Sequence, residues 1–310
     1  MELWNYYLLI MSQNSSYLLI VNPVSGRKSG KKNAQLIIDY FKKHDILLAV
    51  FFTEHKGHAK QYIYNLNASL FSHLIIYGGD GTFNEVINGL LSRLDNYQPV
   101  IGLLPGGSGN SVMYHLKKLH LYEACNMIIN KKVQAIDVMQ IRYKKTIEYS
   151  INMVGWGMVT DIGILSESLR WLGLMRYNIA SLFHIMIRKD RYAKLIIDGT
   201  EYSANYLFVL IANTKYTGKG MIVAPNARLN DNLLDLIIVK NNINKIQLMK
   251  LLPQLFTGKH IHSKYVDYKQ VSTLQIISNK EEPLNIDGEI YGSSPVEIQI
   301  SEKKLFICSD

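Results

Sequence analysis

Hydrophobic and polar residues change their spacing along the chain, and the change divides the chain into two parts. In the first part, three short apolar runs, at 17–21, 74–77 and 100–104, are each followed by a segment with apolar residues three or four positions apart. A continuous apolar run is typical of a buried strand, and the second spacing is typical of one face of a helix. Strands that alternate with helices predict a parallel sheet.

From about Ile141 onward, runs of strand-forming residues follow one another, and we expect an antiparallel β-sandwich. These runs lie at 194–197, 206–212, 233–239, 274–277 and 296–300. The interval 162–188 differs, because apolar residues recur there at helical spacing, which is usually core packing. They form two stripes, one of Leu165, Leu169 and Leu172 and one of Ile179, Leu182, Phe183, Met186 and Ile187.

We therefore predict an α/β plus β protein with two domains. The first, over 13–140, is an α/β domain. The second, over 141–310, is an antiparallel β-sandwich with inserted helices, and we leave open whether its last residues return to the first domain. The 310 residues, 48% of them hydrophobic, are enough for two cores.

Three glycine-rich turns follow the three strands of the first part. They occupy 22–30, 78–82 and 105–110, and each leads into a helical pattern. Glycine lets a ligand approach the main chain, and the N–H groups of a helix's first turn favour anions. In parallel sheets, ligands bind outside the carboxyl ends of the strands, where all three turns lie. The sequence thus predicts that the phosphates of a nucleotide bind at this edge.

The second turn places one carboxylate in a backbone of glycines. Asp80 lies between Gly79 and Gly81 and stabilises nothing obvious, although an aspartate in a turn can bond its own backbone. We interpret Asp80 as functional, because it would meet both the phosphates and an attacking hydroxyl. Thr82 and Glu85 have the spacing of a capping box, Thr-x-x-Glu, which explains Glu85 as well as a functional role does.

These residues resemble the lipid kinases that include diacylglycerol, sphingosine and ceramide kinases and share one catalytic domain. The likeness extends from about Tyr17 to the end of the chain. Its motifs occur in the family's order: Asn22-Pro23, Thr53-Glu54 with His58-Ala59, the blocks 78–89 and 105–110, and Asp287-Gly288-Glu289. A further block, 155–177, is similar to the sphingosine and ceramide kinase branch. The resemblance implies a Rossmann-like three-layer ATP-binding domain and transfer of phosphate from ATP to the primary hydroxyl of a lipid.

The resemblance also implies a role for individual residues. Asp80 would accept or orient the proton of the lipid hydroxyl, and Glu85 would support the catalytic site. The residues implied in nucleotide binding are Asn22, Thr53, Gly79, Gly81, Thr82, Gly107, Ser108, Asn110, Arg170, Arg176 and Glu289. The lipid would meet Asp161, Glu167 and Asp80. Mg²⁺ would arrive with ATP, and Asp137 matches an aspartate tied to the metal site of bacterial relatives, although a structural role explains it equally well.

Two positions depart from the family's patterns. The acidic residue that sphingosine kinases have two positions after Asp161 is Gly163 here, and the Asp that bacterial diacylglycerol kinases usually have after Asn110 is Ser111. The lipid therefore stays open between a sphingoid base, ceramide, diacylglycerol and monoacylglycerol. In a lipid kinase the helical stripes of 162–188 would close over an acyl chain and touch the membrane, which is the alternative to core packing.

Two other functions fit some of these features. NAD kinases share the Gly-Gly-Asp-Gly turn and an Asn-Glu pair, so a soluble phosphoryl acceptor is one alternative. A catalytically inactive lipid-binding module is another, although Asp80, Glu85 and Glu289 are all present. Arg170 and Arg176 have the fork geometry that suits phosphate, but they would also fit a solvated or membrane-facing surface.

Charge and cysteine content narrow the setting. The formal charge of +9 suits a protein that handles ATP at an anionic membrane surface, and the dispersed lysines match no nucleic-acid motif. Two cysteines, far apart, indicate a reducing cytosol, so we expect a cytoplasmic protein with peripheral membrane association. The segment 3–20 is too interrupted by polar residues for a membrane span, and Met11 is an alternative start to Met1. A homodimer is left open.

Overall fold

The structure is a computed structural model that describes residues 16–107, 109–218 and 220–309. It consists of two compact units, which are described separately. The N-terminal unit extends to Ile136 and also includes the chain from Lys303 onward, and the C-terminal unit is Asp137–Glu302. The choice between Met1 and Met11 and most of segment 3–20 lie outside the described residues.

The N-terminal unit alternates strands and helices, as its apolar spacing predicts. Its elements in chain order are β1 (Tyr17–Val21), α1 (Ser25–Lys28), α2 (Gly30–Lys42), β2 (Leu48–Phe52), α3 (His58–Asn65), β3 (His73–Gly78), α4 (Asp80–Leu91), β4 (Val100–Pro105), α5 (Ser111–Leu116), α6 (Leu121–Ile129) and β5 (Val133–Ile136).

The C-terminal unit is dominated by strands, with helices inserted between β8 and β9 and after β13. Its first elements are β6 (Met139–Tyr143), β7 (Thr146–Ser150), β8 (Met153–Gly157), α7 (Met158–Ser168), a 3₁₀ helix (Arg170–Met175), α8 (Arg176–Ile187), β9 (Arg191–Ile197), β10 (Thr200–Ala212), β11 (Tyr216–Thr217) and β12 (Met221–Ile222). Then come β13 (Leu234–Lys240), α9 (Lys245–Leu251), two 3₁₀ helices (Pro253–Phe256 and Lys259–His262), β14 (Val266–Val271), β15 (Thr273–Ser278), β16 (Pro283–Ile286), β17 (Glu289–Ser293) and β18 (Val296–Ile300).

A last strand, β19 (Leu305–Cys308), belongs to the sheet of the N-terminal unit. The strand order there is β2-β1-β3-β4-β19-β5, in which β1 to β4 and β19 run parallel and β5 runs antiparallel to β19. All five residues of β1 are buried, as expected for a strand covered on both faces. Because β1, β3 and β4 are adjacent and parallel, the turns that follow them lie at one edge of the sheet.

The C-terminal unit is built on one curled, antiparallel sheet. The main path of the sheet is β17-β16-β8-β10-β9-β15-β18-β6-β7, and β13 joins β10 to β14 beside that path. Its largest core cluster includes Trp156 and Tyr206, both almost fully buried. The predicted class, an α/β domain followed by an antiparallel β domain with inserted helices, is confirmed. No helix in the described ranges is both long enough and apolar enough to cross a bilayer.

Candidate active site

The turn after β1 is fixed to the start of α4 by one asparagine. The side-chain N–H of Asn22 donates to the hydroxyl of Thr82 at 3.1 Å, and the Asn22 side-chain oxygen accepts from the main chain of Val24 at 3.1 Å. Gly30 closes the turn, since an added Cβ there would lie 2.4 Å from the Asn22 carbonyl oxygen. The predicted nucleotide residues Asn22 and Thr82 are therefore in direct contact.

The turns after β3 and β4 pack main chain against main chain. The N–H of Gly106 donates to the carbonyl of Gly78 at 3.0 Å. An added Cβ at Gly106 would lie 2.9 Å from the Gly78 nitrogen, and one at Gly107 would lie 2.5 Å from the Gly79 Cα atom. Real Cβ atoms do not approach so closely. Glycine is needed at Gly106 and Gly107 for this approach, and the result is a surface of peptide groups with few side chains.

Asp80 is the first residue of α4 and is half-buried. Its Oδ1 accepts a hydrogen bond from the main-chain N–H of Ser111 at 2.9 Å, where α5 begins. Asn110, just before it, has a φ of +53° and accepts from the N–H of Gly107 at 2.8 Å. A small pocket beside Asp80 is lined also by Phe83. The expectation that Asp80 stabilises nothing else was wrong, because its carboxylate links two turns.

Glu85 does not form the predicted capping box with Thr82. Helix α4 begins at Asp80, after Gly79, and has no side-chain cap, so Thr82 is already inside the first helical turn. The Glu85 carboxylate instead accepts from the main-chain N–H groups of Gly57, at 2.7 Å, and Ala59, at 3.2 Å. These groups lie at the start of α3, where a negative charge is favourable. Glu85 therefore fixes the segment that follows β2.

Thr53 follows β2 and is buried. Its N–H donates to the carbonyl of Val21 at 2.9 Å, which brings it to the end of β1. The next N–H, of Glu54, donates to Nδ1 of His58 at 3.1 Å. The segment from Thr53 to His58 is thus held at both ends. The sequence contains no local signal that Glu85 is the partner of this segment.

In the C-terminal unit, Asp161 is one member of a buried charged cluster. Its carboxylate accepts from the Arg191 guanidinium at 2.7 Å and lies 3.9 Å from Nδ1 of His184. Arg191 also pairs with Glu282. Burial lowers the pKa of His184, against the opposing effect of the Asp161 charge. The predicted lipid residue Asp161 is therefore balanced by Arg191, which the sequence analysis did not identify.

Arg176 begins α8 and lies near two side chains. Its guanidinium is 3.4 Å from the Glu167 carboxylate, donates to the Tyr177 hydroxyl at 3.1 Å and lies over the Tyr177 ring. The predicted phosphate residue Arg176 and the predicted lipid residue Glu167 thus form an ion pair. Two predicted nucleotide residues, the side chain of Arg170 and all of Ser108, lie outside the described part of the chain. Their roles stay predictions.

Glu289 is placed by a tight turn at the start of β17. Asp287, with a φ of +51°, accepts from the Ser150 hydroxyl at 2.6 Å and from the main chain of Met153 at 2.9 Å. Gly288 follows with a φ of +90°, a conformation that glycine adopts without strain. The Asp-Gly pair of the motif therefore holds the turn, and Glu289 is the residue that the turn presents.

Two further positions in this unit are closely packed. An added Cβ at Gly163 would lie 2.9 Å from the Asn285 side-chain nitrogen, so an acid at this position would require the Asn285 side chain to move. Asp137 is buried, and its carboxylate accepts from the N–H of Asn232 at 2.7 Å. Within the described ranges, no three His, Cys, Asp or Glu side chains lie together in a metal-binding arrangement. Asp137 as a metal ligand stays a prediction.

A parallel sheet with glycine turns at its carboxyl edge, and a carboxylate fixed at a helix N-terminus, defines a class of nucleotide-dependent phosphotransferases. Comparison with known protein families identifies the family within this class. Residues 16–141 match the diacylglycerol kinase catalytic domain, and residues 152–309 match the YegS C-terminal NAD kinase beta sandwich-like domain. The chain belongs to the diacylglycerol kinase catalytic-domain family and is a lipid kinase of this ATP-using family, which confirms the resemblance.

The chain is similar both to a protein named sphingosine kinase and to a protein named diacylglycerol kinase. The chain is 25% identical over 364 residues to sphingosine kinase 1 of Arabidopsis thaliana, covering 98% of this chain and 75% of that protein. It is 27% identical over 283 residues to the diacylglycerol kinase of Bacillus subtilis (strain 168), covering 90% and 91%. A crystal structure of a diacylglycerol kinase from Bacillus anthracis str. Sterne has a TM-score of 0.74 at 22% identity, covering 96% and 98%, and shares the fold.

Proposed function

We propose that this lipid kinase transfers the γ-phosphate of ATP to the primary hydroxyl of a membrane lipid, namely a sphingoid base, a ceramide or a diacylglycerol. The observation that carries the proposal is the position of Asp80. Its carboxylate accepts from the main-chain N–H of Ser111, beside two glycine turns whose main chains pack directly against each other. Such a surface suits phosphate oxygens, and the carboxylate suits the hydroxyl that attacks them.

Asp80 accepts or orients the proton of the attacking hydroxyl. Phosphoryl transfer asks little covalent chemistry of a protein, so positioning and charge stabilisation dominate. A positioned acid–base group contributes about 10²–10⁴-fold to such a rate. Mg²⁺ bound with ATP would neutralise charge on the phosphates, and a protein carboxylate is the kind of ligand that would hold it. Asp137 offers such a carboxylate, and we propose it as the residue that would hold the ion.

The nucleotide residues are proposed from the family motifs and supported by their contacts. In the N-terminal unit, the contacts of the three turns involve Asn22, Gly79, Thr82, Gly107 and Asn110, and Gly81 lies within the second turn. Thr53 donates to the carbonyl of Val21, the residue before Asn22. In the C-terminal unit, we propose phosphate contacts for Arg170 and Arg176 and a nucleotide contact for Glu289.

Two observations bear on the headgroup of the lipid. The Asp161 carboxylate is already paired with Arg191 at 2.7 Å, and its side chain is only 13% exposed. The acid that sphingosine kinases have two positions after Asp161 is Gly163 here, and an added Cβ there would lie 2.9 Å from the Asn285 side-chain nitrogen, so an acid would require that side chain to move. A buried ammonium group needs a charge partner to offset its desolvation. Arg191 also pairs with Glu282, so the cluster has two carboxylates for one guanidinium. If Asp161 faces the lipid, as the resemblance implies, the lipid stays open between a sphingoid base, a ceramide and a diacylglycerol.

The helical stripe of α8 supports a membrane-bound substrate. Its five apolar residues recur at helical spacing and remain 38–57% exposed: Ile179, Leu182, Phe183, Met186 and Ile187. The core-packing interpretation is therefore wrong for this stripe. An exposed apolar helix face is typical of a membrane or protein contact. We propose that it contacts the bilayer in which the lipid substrate resides, so that the protein associates with the membrane peripherally.

Radiolabelled ATP with a panel of lipids tests this function. The purified protein is incubated with micelles of diacylglycerol, ceramide or sphingosine, and with NAD as a soluble acceptor, and products are separated by thin-layer chromatography. We expect a phosphorylated lipid and no NADP. Label on NAD alone would support the NAD kinase alternative, and no labelled product from any acceptor would support an inactive lipid-binding module.

Asp80→Asn examines the mechanism. The asparagine oxygen can still accept from the Ser111 N–H, so the fold and ATP binding are retained. Without the carboxylate, we expect lipid turnover to fall by about 10²–10⁴-fold. ATP binding measured by calorimetry is the control. Wild-type turnover in the variant would remove Asp80 from the mechanism.

A further inference from the structure

A second exposed surface of the C-terminal unit carries positive charge and no negative charge. The stretch 236–266 contains no aspartate or glutamate and has five lysines: Lys240, Lys245, Lys250, Lys259 and Lys264. This stretch includes α9 and the two 3₁₀ helices that follow it. Within this stretch no carboxylate offsets the lysine charges, although Asp267, just beyond it, lies 4.0 Å from Lys240.

Helix α9 exposes two apolar side chains to solvent. Leu248 and Leu251 are buried, whereas Ile246 and Met249, three residues apart, are 66% and 45% exposed. Residues at that spacing are neighbours on one helix face. The helix starts firmly, because Asn244 forms a capping box with Gln247. The exposed apolar face therefore belongs to an ordered helix.

The lysines beside these apolar residues have no acidic partners. Among the described residues, Lys245, Lys250 and Lys259 form no ion pair, whereas Lys240 lies 4.0 Å from Asp267. Lys250 follows Met249 directly and is four residues from Ile246, so it lies on the same helix face. The three charges are thus available to an external partner.

The surface continues beyond α9. Phe256 is the last residue of the 3₁₀ helix Pro253–Phe256 and is 57% exposed. Lys259 lies three residues further along the chain. Helix α9 also packs against α8, which carries the exposed apolar stripe, and the buried sides of both helices share one core cluster. We name the surface of Lys245, Ile246, Met249, Lys250, Phe256 and Lys259 the basic apolar face.

We propose that the basic apolar face docks on a bilayer that contains anionic phospholipids. The apolar side chains would enter the headgroup region, while the lysine stems extend along them and keep their charges at the phosphates. A protein partner fits less well, because lysine is depleted in protein–protein interfaces. The inference goes beyond the proposed catalytic function, because it concerns α9 and the charge of the membrane and not the lipid that is phosphorylated.

Vesicle binding without ATP tests the proposal. The protein is sedimented with vesicles of phosphatidylcholine, or of phosphatidylcholine mixed with phosphatidylglycerol, at low and high salt. Each lysine near an anionic surface contributes enough that removing three weakens binding about a hundredfold. The variant carries Lys245→Gln, Lys250→Gln and Lys259→Gln, and it should lose this affinity only for the anionic vesicles and mainly at low salt.

A matched variant controls for net charge. It removes three exposed or half-exposed lysines of the same unit from positions outside the face, through Lys145→Gln, Lys194→Gln and Lys280→Gln. We expect it to bind both kinds of vesicle almost as the wild type does. Equal losses in the two variants would overturn the proposal, because net charge alone would then explain the binding.

The apolar part is tested by Ile246→Ser with Met249→Ser, which should weaken binding to both kinds of vesicle. All the changed side chains are exposed or half-exposed, so we expect each variant to fold as the wild type does. Thermal unfolding of each variant checks this. Light scattering follows the oligomeric state. A wild-type dimer that the serine variant separates would overturn the proposal, because a second copy would then cover the face. Since no ATP is used, the outcome is independent of catalytic activity.

Discussion

Gly107→Ala should damage the candidate site more than its small size suggests. The added Cβ would lie 2.5 Å from the Gly79 Cα atom, whereas ordinary contact begins near 3.4 Å. The difference, 3.4 minus 2.5, requires the two turns to separate by about 0.9 Å. Both atoms are attached to the main chain, so no side chain can rotate away. Overpacking of this kind costs about 1–3 kcal/mol of unfolding free energy.

The same displacement should also lower the rate. A misplacement of about 1 Å in a catalytic arrangement can cost about a hundredfold. Because Asp80 is bonded to Ser111, beyond the turn that would move, we expect kcat to fall by about that factor. Urea unfolding followed by circular dichroism measures the stability, and release of ADP with a micellar lipid measures kcat.

Two milder substitutions make the prediction graded. An added Cβ would lie 2.9 Å from the Gly78 nitrogen in Gly106→Ala and 3.2 Å from the Gly107 Cα atom in Gly79→Ala. We expect the loss of stability to be greatest for Gly107→Ala and least for Gly79→Ala. A Gly107→Ala protein with the wild-type unfolding midpoint, or the reverse order of the three, would refute the close packing of these turns.

Two further predictions concern the carboxylates of Glu85, which is half-buried, and Asp235, which is buried. Glu85→Ala removes two charge-assisted bonds and should cost about 2–3 kcal/mol in urea unfolding, whereas Glu85→Gln, which keeps one acceptor, should cost about 1 kcal/mol; equal losses would contradict the role of both bonds. Burial raises the pKa of Asp235 to about 6, above its ordinary value of about 3.9. The folded state therefore binds this proton more tightly than the unfolded state does. The free energy of unfolding should fall as the pH rises from about 4 past 6. Asp235→Asn keeps an acceptor for the Tyr268 hydroxyl and should remove that fall, whereas parallel wild-type and variant melting curves across this pH range would contradict it.

The order of the elements was predictable because local signals define it. A continuous apolar run such as Tyr17–Val21 is typical of a strand that is buried on both faces, and the glycine turns show where each strand ends. The strands expected at 206–212 and 296–300 are also present, in β10 and β18. The stripe of α8 was ambiguous, because helical spacing of apolar residues is the same whether the face is buried or exposed.

The partners of the site residues were not predictable in the same way. Glu85 accepts a hydrogen bond from Gly57, Asp80 from Ser111, and Asp161 from Arg191, and the two residues of each pair are 28, 31 and 30 positions apart. Such contacts depend on how elements pack, and spacing along the sequence does not record it. Glu85 shows the consequence. The local capping pattern offered a nearby partner, Thr82, but the helix begins earlier than that pattern requires.

These partners explain why the motif around Asp80 is one continuous block. The first two turns of α4 contact the segments that follow three other elements. Thr82 accepts from Asn22 after β1, Glu85 accepts from Gly57 after β2, and Asp80 accepts from Ser111 after β4. A single rigid helix therefore sets the spacing of the three segments that are proposed to bind the nucleotide. Residues that are proposed to perform the chemistry also build the surface on which it occurs, and the structural and functional explanations of Glu85 and Thr82 do not exclude each other.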